Sequence, residues 1–195
     1  MSNKIIDIYD DYIKGSRQPK DPKYEGWFRA SSAGYCHKKQ LYSLNEDKYP
    51  PKTFDTRVAR LLRLGTVVHK DIEKAVKIYC LDHPDEKILT EKVIEIPELK
   101  VVGHYDIAVI NESDGKISVD IVDAKTCASY KWRMKFGRNK DKNPSFNYEL
   151  QVGTYGLGIT SKYDADSITL NLLWYNKDTS AMRSVEIDAF EWTSK

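Results

Sequence analysis

Two aspartates and a lysine on adjoining apolar runs carry the strongest chemical signal in this sequence. Asp106 ends Gly103-His104-Tyr105-Asp106, and Asp123-Ala124-Lys125 closes the apolar run that begins at Ile117. Between them, Ser113-Asp114-Gly115-Lys116 predicts a hairpin with a two-residue loop, because both central positions of such a turn take positive φ. Counting outward from Ser113 opposite Lys116 places Asp106 opposite Asp123, with Cβ atoms about 5 Å apart. Alternation then puts Lys125 on the face of Asp123, with His104 across from it. Two carboxylates converging beside an ammonium group suit a divalent cation that handles phosphate.

An acid-x-Lys triplet has little weight by itself in a chain that is 31% charged. It also occurs at Asp21-Pro-Lys23, Glu46-Asp-Lys48, Asp85-Glu-Lys87, Glu98-Leu-Lys100 and Asp114-Gly-Lys116. Those triplets lie in polar or loop-like segments. Only Asp123 sits at the end of an apolar strand with a partner acid on the neighbouring one. The competing reading is a surface ion pair between Asp123 and Lys125, which would contribute only about 0 to 1 kcal/mol.

The elements that must position these groups follow in order along the chain. Residues 2–13 are expected to form a short helix, and Ser31 or Ser32 to cap a second one reaching about Ser43, since a hydroxyl can accept an orphan amide at a helix start. After Pro50-Pro51, apolar positions from Val58 to Tyr79 predict a long helix over 53–81, bent or broken at Gly65. Strands are expected near 87–96, 100–110 and 117–125, then a helix over 145–158, then strands near 167–175 and 183–189. This order predicts a mixed α/β (α+β) fold, a central mixed sheet flanked by helices, with 1–195 as one domain: a mainly helical part over 1–82 and a sheet core with one long helix over 87–195.

Two helices offer further groups. His69 and Glu73 share a face at i and i+4, and neutral imidazole is a ligand for manganese and softer metals. Gln151 and Tyr155, also at i and i+4, project an amide and a phenol together. From Lys131 to Lys142 the chain reads Lys-Trp-Arg-Met-Lys-Phe-Gly-Arg-Asn-Lys-Asp-Lys. Six basic residues with Trp132 and Phe136 interleaved can neutralise phosphates and stack unpaired bases. Lys131, Trp132, Arg133 and Lys135 are the expected DNA contacts. A net charge of +2 conceals this concentration.

Composition bounds the rest. Apolar residues make up 41% and tyrosine occurs 13 times, a globular composition. No apolar run approaches the roughly 20 residues that span a bilayer, and the N-terminus has no secretory core, so a soluble intracellular protein is expected, with no membrane partner. Cys36, Cys80 and Cys127 are odd in number and far apart, which predicts reduced thiols rather than disulfides or a zinc site.

Taken together, Arg29-Ala-Ser-Ser-Ala-Gly-Tyr-Cys36, Gly65-Thr-Val-Val-His69, Gly103-His-Tyr-Asp106, Asp123-Ala-Lys125 and Gln151-Val-Gly-Thr-Tyr155 resemble the PD-(D/E)XK nuclease superfamily, in its RecB-type and phage-exonuclease branch. The ordered set covers about two-thirds of the chain. The resemblance implies a restriction-endonuclease-like core in which Asp106 and Asp123 bind catalytic Mg²⁺ or Mn²⁺, one ion or two. His69 completes the metal site, Lys125 assists the attacking water, and Gln151 and Tyr155 position water and DNA. The second acid is often Glu in this family and is Asp123 here. Relatives with an iron-sulfur cluster hold it by four cysteines; Cys36 matches the first, but none follows Cys127, so no cluster is expected.

The expected activity is metal-dependent hydrolysis of DNA phosphodiesters by an exonuclease that processes ends in phage or prokaryotic recombination, replication or repair. The alternatives are a structure-specific endonuclease and a catalytically silent DNA-binding module. Arg29 and Ser31, at the start of the second helix, are expected to receive a DNA phosphate. Linear ends or single-stranded segments are the expected DNA partners, together with a recombination partner protein, in the cytoplasm, or the host cytoplasm for a phage protein. The oligomeric state is left open.

Overall fold

The computed structural model describes residues 2–15, 21–50, 55–138 and 145–189. Five helices and six strands follow in the order α1 (Ser2–Gly15), β1 (Phe28–Arg29), α2 (His37–Leu44), α3 (Thr56–Asp82), β2 (Lys87–Ile96), β3 (Val101–Ser113), β4 (Lys116–Cys127), α4 (Ser129–Phe136), α5 (Phe146–Tyr163), β5 (Ser167–Asn176) and β6 (Met182–Ile187). All six strands join one sheet in the order β1-β3-β4-β5-β6, with β2 also on β3. Pairings β2–β3, β3–β4 and β5–β6 are antiparallel, while β1–β3 and β4–β5 are parallel. The mixed sheet flanked by helices is the expected fold class.

The hairpin is as the turn chemistry predicts. Ser113 pairs with Lys116, and Asp114 and Gly115 take φ of 53° and 71°. Register then runs without interruption to Ile107 opposite Val122 and stops there, one step short of Asp106 and Asp123. The expected pairing of Asp106 with Asp123 is therefore corrected: the strands part before reaching them. A second strand explains where the edge goes. Val101 pairs with Ile96 of β2 on one side and with Phe28 of β1 on the other, so β1 occupies the edge that β4 has left. Residues 103–106 of β3 lie between these two partners with no ladder on that edge.

Helix α5 covers the sheet, burying Val152, Tyr155 and Ile159 with Ile94, Leu170, Leu172 and Trp174. The approach is close. A Cβ on Gly103 would stand 2.6 Å from the Tyr155 ring and 2.7 Å from Ala30 Cβ, and one on Gly158 would stand 2.4 Å from Ile94. Burial of such side chains stabilises by roughly 1.5 to 3 kcal/mol each.

The N-terminal helices differ from expectation in three ways. Helix α3 runs unbroken through Gly65, whose missing Cβ instead lets the helix approach β4, since a Cβ there would lie 2.9 Å from Thr126 Oγ1. Its apolar positions are not core: Leu61, Leu62 and Leu64 are 49%, 54% and 45% exposed. Helix α2 starts at His37 behind Cys36, without a side-chain cap, while Ser31 and Ser32 belong to a separate 3-10 turn, Ala30–Ser32. A serine can cap only where its own backbone leads directly into the helix, and here four residues intervene. Among the described residues no helix is long and apolar enough to cross a membrane, and Cys36, Cys80 and Cys127 are free thiols.

Candidate active site

The parted end of β3 and β4 gathers the groups singled out by sequence. With no strand partner at this edge, the Ala124 amide donates to Asp106 Oδ2 at 2.7 Å. That carboxylate replaces a carbonyl of the missing ladder and ties the two strands across the gap. His69 Nδ1, from α3, lies 3.5 Å from the same oxygen. On β4, Lys125 Nζ lies 2.5 Å from Asp123 Oδ2. Asp123 is only 1% exposed, so the Lys125 ammonium is what compensates the charge on this oxygen. From α5, Gln151 Nε2 donates to Tyr155 OH at 2.6 Å.

Electrostatics follow from burial. Desolvation pushes Asp106 up to about 6 despite Lys125 and the Ala124 amide, which favour its charged form. Desolvation likewise raises Asp123 to about 6 against the pull of Lys125, with Asp106 adding repulsion. Burial also works against charge on Lys125, but Asp123 outweighs it and holds the ammonium above the ordinary lysine value. Burial and then Lys125 lower His69, which keeps its imidazole neutral near pH 7 and able to donate a lone pair.

Two connected hollows lead to these groups. A small recess is lined by His69, Ile72, Glu73, Glu91, Asp106, Ile107 and Ala124. His69, Glu73 and Glu91 continue into an open cleft of about 500 Å³, whose other walls include Gly65, Lys125, Thr126, Tyr148 and Lys177. Glu91 was not singled out by sequence. It takes φ of 50° in the middle of β2, between the pairs Thr90–Ile107 and Lys92–Tyr105, which puts it across from Asp106. Burial and then Glu73 raise its pKa. A lone glutamate in Thr-Glu-Lys gives no sequence signal for this position. Tyr148 could have been found only from its place three residues before Gln151.

The remaining expected residues divide. Tyr155 is 2% exposed, and its hydroxyl is committed to Gln151, so direct DNA contact is replaced by a role in holding that amide. The basic segment is helical as far as Phe136, and positions 139–142 lie outside the described residues. Lys131 Nζ sits 4.0 Å from the Tyr148 ring centre, at the cleft. Arg133 is exposed, whereas Trp132 is half-buried against Phe136 at 4.6 Å between rings. Lys135 is turned inward, where its Nζ bonds Ser145 Oγ at 2.7 Å and Glu149 Oε1 at 3.0 Å; a basic residue expected on DNA is instead one half of a buried ion pair. Arg29 lines a different cleft with Glu25, Glu46 and Asp47, and Ser31 is exposed on the 3-10 turn that Arg29 precedes, so neither is at the start of α2.

The donor set can be tested against a divalent ion. Among the described residues no three His, Cys, Asp or Glu side chains are assembled around one point. Mg²⁺ does not require that, because it is usually held by one or two carboxylates with water and substrate phosphate completing the octahedron. The carboxylates of Asp106 and Asp123 are the ligand type such an ion takes, and the neutral imidazole of His69, beside Asp106, also suits Mn²⁺.

No family model matches the sequence, and no curated protein matches it. Solved structures share the fold. The chain superposes on SSO0001 with a TM-score of 0.50 at 13% identity, covering 100% of this chain and 83% of that one. It superposes equally, TM-score 0.50 and 13% identity, on an alkaline exonuclease, LHK-Exo, from Laribacter hongkongensis, covering 88% of this chain and 83% of the other. The fold is thus one that a nuclease also uses.

Proposed function

We propose that this chain is a Mg²⁺- or Mn²⁺-dependent deoxyribonuclease of the PD-(D/E)XK superfamily, in its RecB-type and phage-exonuclease branch. On this reading it is an exonuclease that processes DNA ends in recombination, replication or repair. The observation that carries the reading is the meeting of Asp106, Asp123, Lys125 and His69 where β3 and β4 part. The fold shared with an alkaline exonuclease supports it.

Asp106 and Asp123 would hold the ion, with His69 as a neutral ligand. When bound, the ion lowers the pKa of a coordinated water and offsets charge on the phosphate. Lys125, protonated and fixed beside Asp123, orients the attacking water and stabilises charge developing on the scissile phosphate. Gln151, its amide nitrogen donated to Tyr155, presents its oxygen to accept from that water. Linear ends or single-stranded segments are the substrate, and a recombination partner protein would deliver them.

The test is incubation of the purified chain with Mn²⁺ and end-labelled linear or covalently closed circular DNA. Release of label from linear DNA alone is expected. Nicking of the circle would make the chain an endonuclease of the same fold. Binding without cleavage, in Mg²⁺ and in Mn²⁺, would leave a silent DNA-binding module and overturn the assignment.

A further inference from the structure

We propose that Lys131, over the Tyr148 ring, and Lys177, in the same cleft wall, form a subsite for a second DNA phosphate, the one adjoining the scissile phosphate. The inference rests on the nuclease reading and adds to it a group of residues, of which sequence reasoning had singled out only Lys131.

The wall of the cleft beyond the acidic recess is built of cations around one ring. Tyr148, on the first turn of α5, has Lys125 Nζ at 5.1 Å and Lys131 Nζ at 4.0 Å from its ring centre, and Lys131 is also 5.6 Å from the Trp174 ring. Tyr148 and Trp174 pack on each other at 5.8 Å, and Trp174 is fully buried, so the platform under Lys131 is rigid. Lys177 lines the same cleft. The turn carrying it is fixed to the end of β4 by its own amide, which donates to Cys127 O at 2.9 Å, and among the described residues its Nζ donates to one backbone carbonyl, Leu61 O at 3.4 Å. Burial raises the pKa of the Cys127 thiol, Lys131 and Lys177 both counter it and Asp178 adds to it, so both ammonium groups lie within reach of the one thiol.

Among the described residues neither lysine has an anion in contact: Asp178 acts on Lys177 only from beyond ion-pair distance, and its carboxylate accepts from the Ser129 amide. Lys135 has Glu149, Lys77 has Glu73 and Lys125 has Asp123, but among the described residues no carboxylate forms an ion pair with Lys131 or Lys177. A half-buried ammonium over an aromatic face gains from the ring quadrupole but keeps most of its charge uncompensated. A phosphate supplies the compensation, and Lys binds it as a point charge needing no fixed fork. Glu73, Glu91 and Asp106 line the recess, and Lys70, Lys125 and Lys177 line the cleft into which it opens. A strand with its scissile phosphate at Asp106, Asp123 and Lys125 would therefore set its neighbouring phosphate against Lys131 and Lys177.

The consequence is a dependence on substrate length. A dinucleotide has one phosphodiester and cannot fill both positions, whereas a single-stranded 12-mer can. For the Lys131→Ala, Lys177→Ala double variant with Mn²⁺, the loss in kcat/KM on the 12-mer should exceed that on a dinucleotide at least about tenfold, carried by KM. Binding of a fluorescent 12-mer without metal should lose about 0.7 in the log-log salt slope, since single-stranded DNA releases about 0.7 ion per neutralised phosphate. Lys131→Gln, Lys177→Gln, which keeps side-chain length without charge, should behave alike, and melting curves check that both are folded. Equal losses on the two substrates would put these lysines at the scissile centre, and no loss on either would make them solvated surface; each result overturns the subsite. Should the wild-type chain cleave neither substrate, the nuclease reading fails by itself, and the metal-free salt slope still decides the subsite: an unchanged slope refutes it.

Discussion

The two ends of the β3–β4 hairpin obey different rules. Near the turn, from Ser113–Lys116 to Ile107–Val122, backbone pairs with backbone, and the buried residues are Ile, Val and Ala. Beyond Val122 the ladder ends, and a side chain takes the place of a strand, with Asp106 accepting from the Ala124 amide. The first end owes its order to local turn chemistry. The second depends on β1 holding the vacated edge from more than 70 residues away in sequence and on α3 approaching through Gly65. Reactive groups accumulate where the ladder stops, because only there can a buried carboxylate find backbone donors and open space together.

The comparison breaks hardest at the carboxylates. Asp106→Ala, Asp123→Ala or Lys125→Ala should reduce cleavage by about 10² to 10³-fold or more, the scale of losing one electrostatic stabiliser in a preorganised site. Single-turnover cleavage of labelled DNA measures this, and wild-type rates in any of the three would remove the residue from the site. Asp106→Ala should carry a further defect. It orphans the Ala124 amide, which costs about 1 to 3 kcal/mol, whereas Asp106→Asn keeps an oxygen acceptor and should retain stability while losing activity. Equal melting temperatures for the two variants would show that the side chain does not tie the strands.

A medium-sized effect concerns pH. Asp123 is raised from an unfolded value of 3.8 to about 6 by burial, so between these values the folded state binds more protons than the unfolded one. Stability of the metal-free protein should therefore fall as pH rises from about 4 to about 6, with the loss complete above. Asp106 and Glu91, both raised by burial, act in the same sense. His69, lowered by burial, acts in the opposite sense as pH falls below its unfolded value of 6.5. The difference between wild type and Asp123→Asn isolates one carboxylate; parallel pH profiles of the two would refute the assignment.

What the sequence made legible follows the same division. Asp114-Gly115, strand alternation and the bounds of β2, β4 and β5 are local, and each is found close to where the residues imply. The parting of β3 and β4 is not local, and register counting alone carries Asp106 onto Asp123. Lys135 reads as part of a basic stretch because its buried partners, Ser145 and Glu149, come ten and fourteen residues later. Ser31 and Ser32 carry the right chemistry for a cap, but the chain turns before the helix begins. Residue type and ordered spacing single out His69, Asp106, Asp123 and Lys125, which the structure brings together, and Gln151, which bonds the neighbouring Tyr155, whereas the distinction of Glu91 is conformational and leaves no mark in the sequence.

The smallest expected effect separates the two ends most cleanly, since it concerns backbone in the same left-handed region at both. At Asp114 and Gly115, positive φ is what a two-residue turn requires, and one of the two residues is glycine. At Glu91 the same conformation, φ 50°, falls in mid-strand, where an L-residue is disfavoured by about 1 to 2 kcal/mol and no turn requires it. Such strain persists where surrounding structure enforces it, and here it directs a carboxylate on an otherwise exposed residue toward the recess that Asp106 lines. Glu91→Gly should therefore raise stability by up to about 1 kcal/mol by relieving the backbone, offset in part by the greater freedom of glycine in the unfolded chain. It should also remove a burial-disfavoured charge, and at the same time weaken Mn²⁺ binding and turnover. Gly115→Ala at the turn should do the reverse, costing about 1 kcal/mol without touching metal affinity. Chemical denaturation and calorimetric Mn²⁺ titration on the two variants read both quantities, and a Glu91→Gly protein that is less stable yet binds Mn²⁺ as well as wild type would show that the strained glutamate serves packing rather than the site.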